Sequence, residues 1–402
     1  MRLNKIVAGV SVPPIADVNS WVSDLPFDAQ RPLLNVAQAV PSYAPARSLI
    51  DHVADLASDA ASAVYAPILG LETLRDAFAQ HMTHTYGSAV QASELAITAG
   101  CNQAFCIAVS ALAAPADQVV LPAPWYFNHQ MWMQIQGIEV CPLAFDDSSG
   151  GVPSIDVAAA AVTDRTRAIV LVTPNNPTGN EYPQSLLEDF FDLAVECNVA
   201  LVIDETYKDF RSHPGPPHAL FARPNWREHL VSLHSFSKSY AMAGYRVGAV
   251  VCGPKLLSSV QKILDCISIC APQLGQHAAL HALQYLDTWR DEKVALMAAR
   301  IEALRGAFLR NELSYELVSS GTFFAWLRHP FVGELASDVA RRLAREHGVL
   351  CVPGSTFGPG LDGYLRFAFA NLPREAMVTL VERLLESQTS SQTSSRVPGQ
   401  PP

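Results

Sequence analysis

Charge is scarce in this sequence. Of 402 residues only 16% are Asp, Glu, Lys or Arg, against 49% apolar, and the formal charge is −10. No block of basic residues interrupts that balance, which argues against nucleic acid or an anionic membrane as a main partner. Anions bound here should be small and met by a few specific side chains. Cysteine motifs are lacking as well. Cys101, Cys106, Cys141, Cys197, Cys252, Cys266, Cys270 and Cys351 form no CxxC pair, so neither a zinc ribbon nor a thioredoxin-like motif is written here. Reduced, mostly buried thiols in a cytoplasmic protein are expected. The N-terminus also reads as a poor secretory signal, because its brief apolar stretch is interrupted by Pro13, Pro14 and Asp17. The longest uncharged stretch, residues 95–116, could span a bilayer by length alone. It contains Gly100, Asn102, Gln103 and Pro115, and reads instead as a buried strand, loop and helix. No internal repeat is visible.

What is present is an apolar chain too long for one core, which predicts two domains. Between about 90 and 253, short β-branched runs alternate with helical patterns: LAIT (95–98), VVLP (119–122), AIVLVT (168–173), ALVID (200–204), LVSLHS (230–235) and VGAVVC (247–252). Strands alternating with helices predict an α/β fold, with a mostly parallel sheet covered on both faces. Ligands of such sheets gather at the carboxyl ends of the strands. After a helical region over 254–310, strand-like stretches at 313–327 and 364–369 and amphipathic helices at 334–347 and 374–386 predict a smaller α+β domain. The expected division is an N-terminal segment 1–47 contributing to the small domain, a large domain 48–290, a small domain 291–386 and a polar, low-complexity tail 387–402 without order.

Several short segments fall at strand ends or helix starts. SFSKSYAMAGYRVG (235–248) follows a strand and places a lysine between a serine and an arginine. A buried ammonium readily loses its proton and becomes a nucleophilic amine, and an arginine can meet a phosphate with two parallel hydrogen bonds. IDETYKDF (203–210) sets a carboxylate at a strand end, and TPNNPTGN (173–180) is rich in turn formers. ITAGCNQAF (97–105) reads as strand, glycine turn and helix start, whose free N–H groups suit an anion. LPAPWYFNH (121–129), YAPILGLETLR (65–75) and YLRFAFA (364–370) add aromatic residues, a tyrosine–glycine segment and an arginine within a strand.

In order and spacing these segments resemble fold-type I pyridoxal 5′-phosphate (PLP) enzymes, specifically the class I/II aminotransferase family, over residues 33–385. The resemblance implies a large PLP-binding domain with a mixed, mostly parallel seven-stranded sheet sandwiched by helices, plus a smaller α+β domain. The N-terminal segment would also help cover the active site. The resemblance makes Lys238 the catalytic residue, carrying PLP as a Schiff base and shuttling the substrate α-proton. It assigns Ser235 and Arg246 to the phosphate, and Gly100, Cys101 and Asn102 to its cradle. Asp204 pairs with the pyridine nitrogen, and Tyr207 and Asn176 with the ring oxygen, Asn176 also facing substrate. Tyr126 stacks on the ring, with Trp125 as the alternative register, and Tyr65 reaches the phosphate of a neighbouring subunit. That last match implies a homodimer with shared active sites. Arg366 grips the substrate α-carboxylate. His129 lies beside the stacking aromatic, and the sequence assigns it no role.

The chain departs from the family pattern in two places. Ala39 stands where a glycine is common, and is left out of the site. No Arg or Lys lies between Lys262 and Arg290, where dicarboxylate-specific members carry an extra arginine, so the expected substrates are an L-amino acid and a 2-oxo acid other than the dicarboxylates, unless a residue such as Arg47 substitutes. His277 and His281 have a possible metal-ligand spacing but lack a third partner, so no metal is expected. Amino transfer is the leading expectation. The alternative is a PLP-dependent lyase, cyclase or oxidase acting on an amino acid, because pocket shape rather than fold decides which bond breaks. A PLP-binding module of a transcription regulator is disfavoured, since the family-like region starts too early for a preceding DNA-binding domain.

Overall fold

Consecutive rather than alternating apolar residues mark strands buried on both faces, and the computed structural model shows how the chain uses them. It describes residues 1–309 and 312–394, with side chains through 389. A two-residue strand β1 (Leu34–Asn35) precedes β2 (Leu95–Thr98), β3 (Gln118–Pro122), β4 (Glu139–Leu143), β5 (Thr166–Val172), β6 (Ala200–Asp204), β7 (Leu230–Ser235) and β8 (Gly248–Cys252). Strands β2 to β8 form one seven-stranded sheet in the order β2-β8-β7-β6-β5-β3-β4. All neighbours are parallel except β8, which runs antiparallel to both β2 and β7. The expected α/β fold with a mixed, mostly parallel sheet is therefore correct.

Side-chain alternation divides this sheet into two cores. Ile169, Leu171, Leu201 and Ile203 pack with Phe190 and Phe191 on one face. Ala168, Val170, Ala200 and Val202 pack with Phe105 and Ile107 on the other, here called the front. Each fully buried Leu, Ile or Phe contributes about 2 kcal/mol, and helices over both faces keep the strand residues dry. Strand β4 was not among the expected strands. It is the sheet edge, paired among the described residues with β3 alone, so all its residues but Leu143 are exposed or partly buried and Pro142 is tolerated without an N–H to donate.

The chain forms two compact units. One comprises Met1–Val10, Tyr43–Asn176 and Asn180–Ala295, and holds the seven-stranded sheet; the other comprises Ser11–Ser42, Pro177–Gly179 and the chain from Leu296 onward. In the second unit, β9 (Glu316–Gly321), β10 (Phe324–Arg328), β12 (Val352–Pro353) and β13 (Tyr364–Phe367) form an antiparallel sheet in the order β12-β13-β10-β9, while β1 pairs in parallel with β11 (Val349–Leu350). Helix Ala336–His347 buries Val339, Ala340, Leu343 and Ala344 along one stripe and ends at Gly348, whose φ of +63° suits a glycine. The stretch expected as one strand over 313–327 is a hairpin, turning at Thr322 and Phe323.

The expected disordered tail needs correction over its first residues, because helix Ala376–Ser394 runs past Ser387. Ser387 Oγ donates to Leu384 O (2.7 Å) and lies 2.8 Å from Tyr315 Oη, while the Gln388 side chain bonds Ser314 N and Glu312 O. Polar composition hid those partners, which lie more than seventy residues away in sequence. The rest of the tail, 395–402, lies outside the described residues. Among the described residues no helix is long and apolar enough to cross a membrane.

Candidate active site

Alternation along β6 decides what its end presents. Val202 packs on the front face, so Asp204 follows it there, and Ile203 sends Glu205 to the back. Asp204 is 5% exposed. Its Oδ2 lies 3.3 Å from His129 Nε2, and its Oδ1 accepts from Thr206 N (3.0 Å) and from the Cys101 thiol (3.5 Å). Burial alone would raise this carboxyl. The hydrogen bond and charge of His129, with Thr206, more than offset that and hold it below the usual carboxylate range. His129 is itself fixed, stacked on Phe105 at 3.8 Å and edge-on to Tyr126 at 5.1 Å. Burying a carboxylate costs stability, and such a group, paired here with His129, suits a cationic ring nitrogen.

Beside it lies an anion seat. Helix Cys101–Leu112 starts at Gly100, whose φ is +86°. A β-carbon at Gly100 would occupy the space of the Arg246 guanidinium, so only glycine lets Arg246 lie against the helix start. Arg246 Nη2 donates to Ala99 O (3.3 Å) and Nη1 to Ala243 O (3.0 Å). Asn102 is exposed on the first turn of that helix. Gly248 passes beneath: a β-carbon there would strike the backbone of Gly100 and Cys101. It pairs in register with Ser235, the last residue of β7, whose Oγ accepts from Ser237 N (3.2 Å). Helix-start amides, a guanidinium fork and a hydroxyl around a side-chain-free turn fit a phosphate. The residues present therefore fit both ends of PLP.

Lys238 follows β7 by three residues and is half-buried. Tyr207 and Asn176 are both buried, beyond the ends of β6 and β5. Thr173 N donates to Asp204 O (3.0 Å), which ties the start of the Asn176 loop to the Asp204 strand. Trp125 packs into the front-face core, whereas Tyr126, one residue on, meets His129 and accepts from Asn128 Nδ2 (2.9 Å). Cys101, Asp204, Tyr126, Gly100 and Arg246 are thus joined by direct contacts, with His129 as a link that sequence reasoning left without a role. Its signal was its place one helical turn after Tyr126. Tyr65 stands apart, 76% exposed. Arg366, in the second unit, is buried, donates to Ala37 O, and lies over the rings of Phe324 and Phe357.

The back face carries a second polar group that no motif announced. Glu205 accepts from Tyr86 Oη (2.6 Å) and Ser232 Oγ, with His218 Nε2 at 3.4 Å, and Ser232 Oγ lies 2.7 Å from His234 Nε2. Burial would raise Glu205, but the charge and hydrogen bond of His218 bring it down to about 2. Burial lowers His234 to about 4 and His81 to about 3. These two histidines are neutral when folded but titrate near 6.5 when unfolded, so the unfolded chain binds more protons between those values. Their contribution is present above pH 6.5 and lost as pH falls; at pH 5 the loss is about 2 kcal/mol for each histidine. Urea unfolding midpoints are expected to drop between pH 7 and 5, and to drop less in His81→Asn. A flat pH profile over that range would contradict this assignment.

Comparison with known proteins agrees with this fold. Residues 22–384 match the family model for aminotransferase class I and II. The chain is 28% identical over 390 residues to an aromatic aminotransferase of Arabidopsis thaliana, covering 95% of each. It is 30% identical to an aspartate/prephenate aminotransferase of Thermus thermophilus, covering 76% of this chain and 78% of the relative. Among solved structures, an aspartate aminotransferase from Thermus thermophilus with maleate superposes with a TM-score of 0.87 at 25% identity, over 96% of this chain and all of that one. These relatives lend no support to the lyase, cyclase or oxidase alternative. With its sheet and nearly its whole length in agreement, the chain belongs to the aminotransferase class I and II family, and it is a PLP-dependent aminotransferase.

Proposed function

We propose that this aminotransferase holds PLP on Lys238 and moves an amino group between a non-dicarboxylic L-amino acid and a 2-oxo acid. The observation that carries the reading is Asp204, buried and ionised on the front face with His129 behind it. In this reading Asp204 keeps the pyridine nitrogen protonated, Tyr207 and Asn176 orient the ring oxygen, and Tyr126 covers the ring. Gly100, Cys101, Asn102, Ser235 and Arg246 hold the phosphate. Bound there, the cofactor supplies an electron sink for the substrate α-carbon. Lys238 moves the α-proton, and Arg366 receives the α-carboxylate. Asn176 also faces substrate.

Two features support the substrate class. No Arg or Lys lies between Lys262 and Arg290, and Arg47, the other candidate for a distal carboxylate, is exposed and paired with Asp51 at 2.8 Å. The exposure of Tyr65 supports a homodimer in which this ring reaches the phosphate of a second copy. Eight cysteines without a disulfide support a reducing, cytoplasmic setting. The test is an absorbance titration of the PLP-loaded protein with a panel of L-amino acids. Neutral or aromatic amino acids are expected to bleach the visible band, and their cognate 2-oxo acids to restore it, at concentrations roughly tenfold or more below those needed for aspartate or glutamate. A preference for the dicarboxylates would overturn the substrate class, and release of ammonia would overturn amino transfer.

A further inference from the structure

We propose that Asp209 and Ser239 form a latch that positions Lys238, joining the strand end that carries Asp204 to the turn that carries the lysine; this rests on the reading that Lys238 holds the cofactor. The turn after β7 is weakly closed by its own backbone. Tyr240 N reaches Phe236 O, and Ala241 N reaches Lys238 O, both only at 3.4 Å, and Ala241 has a φ of +54°. Bonds of that length contribute little to holding a backbone. A side chain supplies what the backbone lacks. Ser239, next to Lys238 in the chain, is 2% exposed, and its hydroxyl donates to Asp209 Oδ2.

Asp209 is suited to that task by its other partners. It lies in the short helical turn Lys208–Phe210, beyond Asp204 and Tyr207. Its Oδ1 accepts from Lys208 Nζ (2.7 Å), and Lys208 Nζ also lies 3.3 Å from His81 Nε2. The bonds run from His81 in helix Glu72–Tyr86 through Lys208 and Asp209 to Ser239. Burial would raise the Asp209 carboxyl, but the charge and hydrogen bond of Lys208, with Ser239, hold it below its usual value. A hydroxyl bonded to an ionised acceptor is held more firmly than one bonded to a neutral group. Lys208 is the counter-charge that makes this acceptor available in a buried place, and His81, kept neutral by burial, can accept one of its protons. These residues meet the proposed cofactor site along the chain, Ser239 next to Lys238 and Lys208 next to Tyr207, so Asp209 and Ser239 are positioning residues.

The experiment compares Ser239→Ala, Ser239→Thr and Asp209→Asn with the unaltered protein. Three quantities are read: amide hydrogen exchange over residues 236–241 in the apoprotein, the rate at which apoprotein loads PLP as seen by its visible band, and kcat and KM. The latch predicts that Ser239→Ala speeds exchange in this turn roughly tenfold. It also predicts that loading slows and that kcat falls roughly 10- to 100-fold with KM little changed, as for a misplaced reacting group. Ser239→Thr, which keeps the hydroxyl, should restore all three. Asp209→Asn should follow Ser239→Ala; if it does not fold, the serine pair alone decides. Normal exchange, loading and kcat in Ser239→Ala, even with a lower melting temperature, would overturn the latch and leave the cofactor reading intact. Absence of any visible band in the unaltered protein would overturn both, and that outcome is recognisable before any variant is made.

Discussion

Lys238→Ala is expected to fold with an unchanged melting temperature and to lose at least ~10⁴-fold in kcat. Two consequences of the sequence combine here. Lys238 is only half-buried, so truncating it creates no closed cavity, and its effect on stability should stay within about 0.5 kcal/mol. Its amine, however, serves both as the point of attachment for the cofactor and as the carrier of the α-proton. A positioned proton-transfer group alone is typically worth 10²–10⁴-fold, and removing the nucleophile adds to that. The control is Lys262→Ala. Lys262 is exposed on helix Pro254–Ser268, and its removal should leave kcat within about twofold. The measurement is a spectrum of each protein with PLP, followed by single-turnover kinetics with an amino acid. A visible band in Lys238→Ala equal to that of the unaltered protein would remove Lys238 from its role.

The parts of this protein legible in its sequence are those set by neighbours along the chain. The runs ALVID and AIVLVT announce β6 and β5, because a strand buried on both faces must be apolar throughout. The polar residues just after them announce the site, because the sheet can present function only where its strands end. Gly100 was legible for a related reason: a glycine between an apolar strand and a helix signals a backbone that must come close to something. What the sequence hid depends on partners far apart along the chain. The contact of His129 with Asp204 spans 75 positions and is invisible to any local pattern. The back-face group around Glu205 joins Tyr86, His218 and Ser232, and each of these alone reads as an ordinary core or loop residue. Strand β4 was missed because an edge strand need not be apolar. The helix beyond Ser387 was missed because its polar side chains find partners near Glu312 and Tyr315.

Asp204→Asn should cost about 10³-fold in kcat while leaving the fold intact. The amide keeps the shape of the carboxylate, so its oxygen can still accept from Thr206 N, and only the charge is removed. That charge is held on the front face against the cost of burial by His129 and Thr206, and in the proposed function it keeps the ring nitrogen protonated. Preorganised charge of this kind typically contributes 10²–10³-fold for a single group. Stability should change little, because the substitution also relieves the cost of burying an ion. Asp204→Ala is different, since it leaves the buried His129 Nε2 without its partner and should cost about 1–3 kcal/mol. The sharpest comparison is with the next residue. Glu205 is equally buried and ionised but faces the back of the sheet, so Glu205→Gln should lower stability and spare kcat within a few-fold. Rates and urea midpoints measured for both variants separate the two faces. If Asp204→Asn kept more than about a tenth of kcat, the buried carboxylate would be a structural feature of β6 and not the partner of the cofactor.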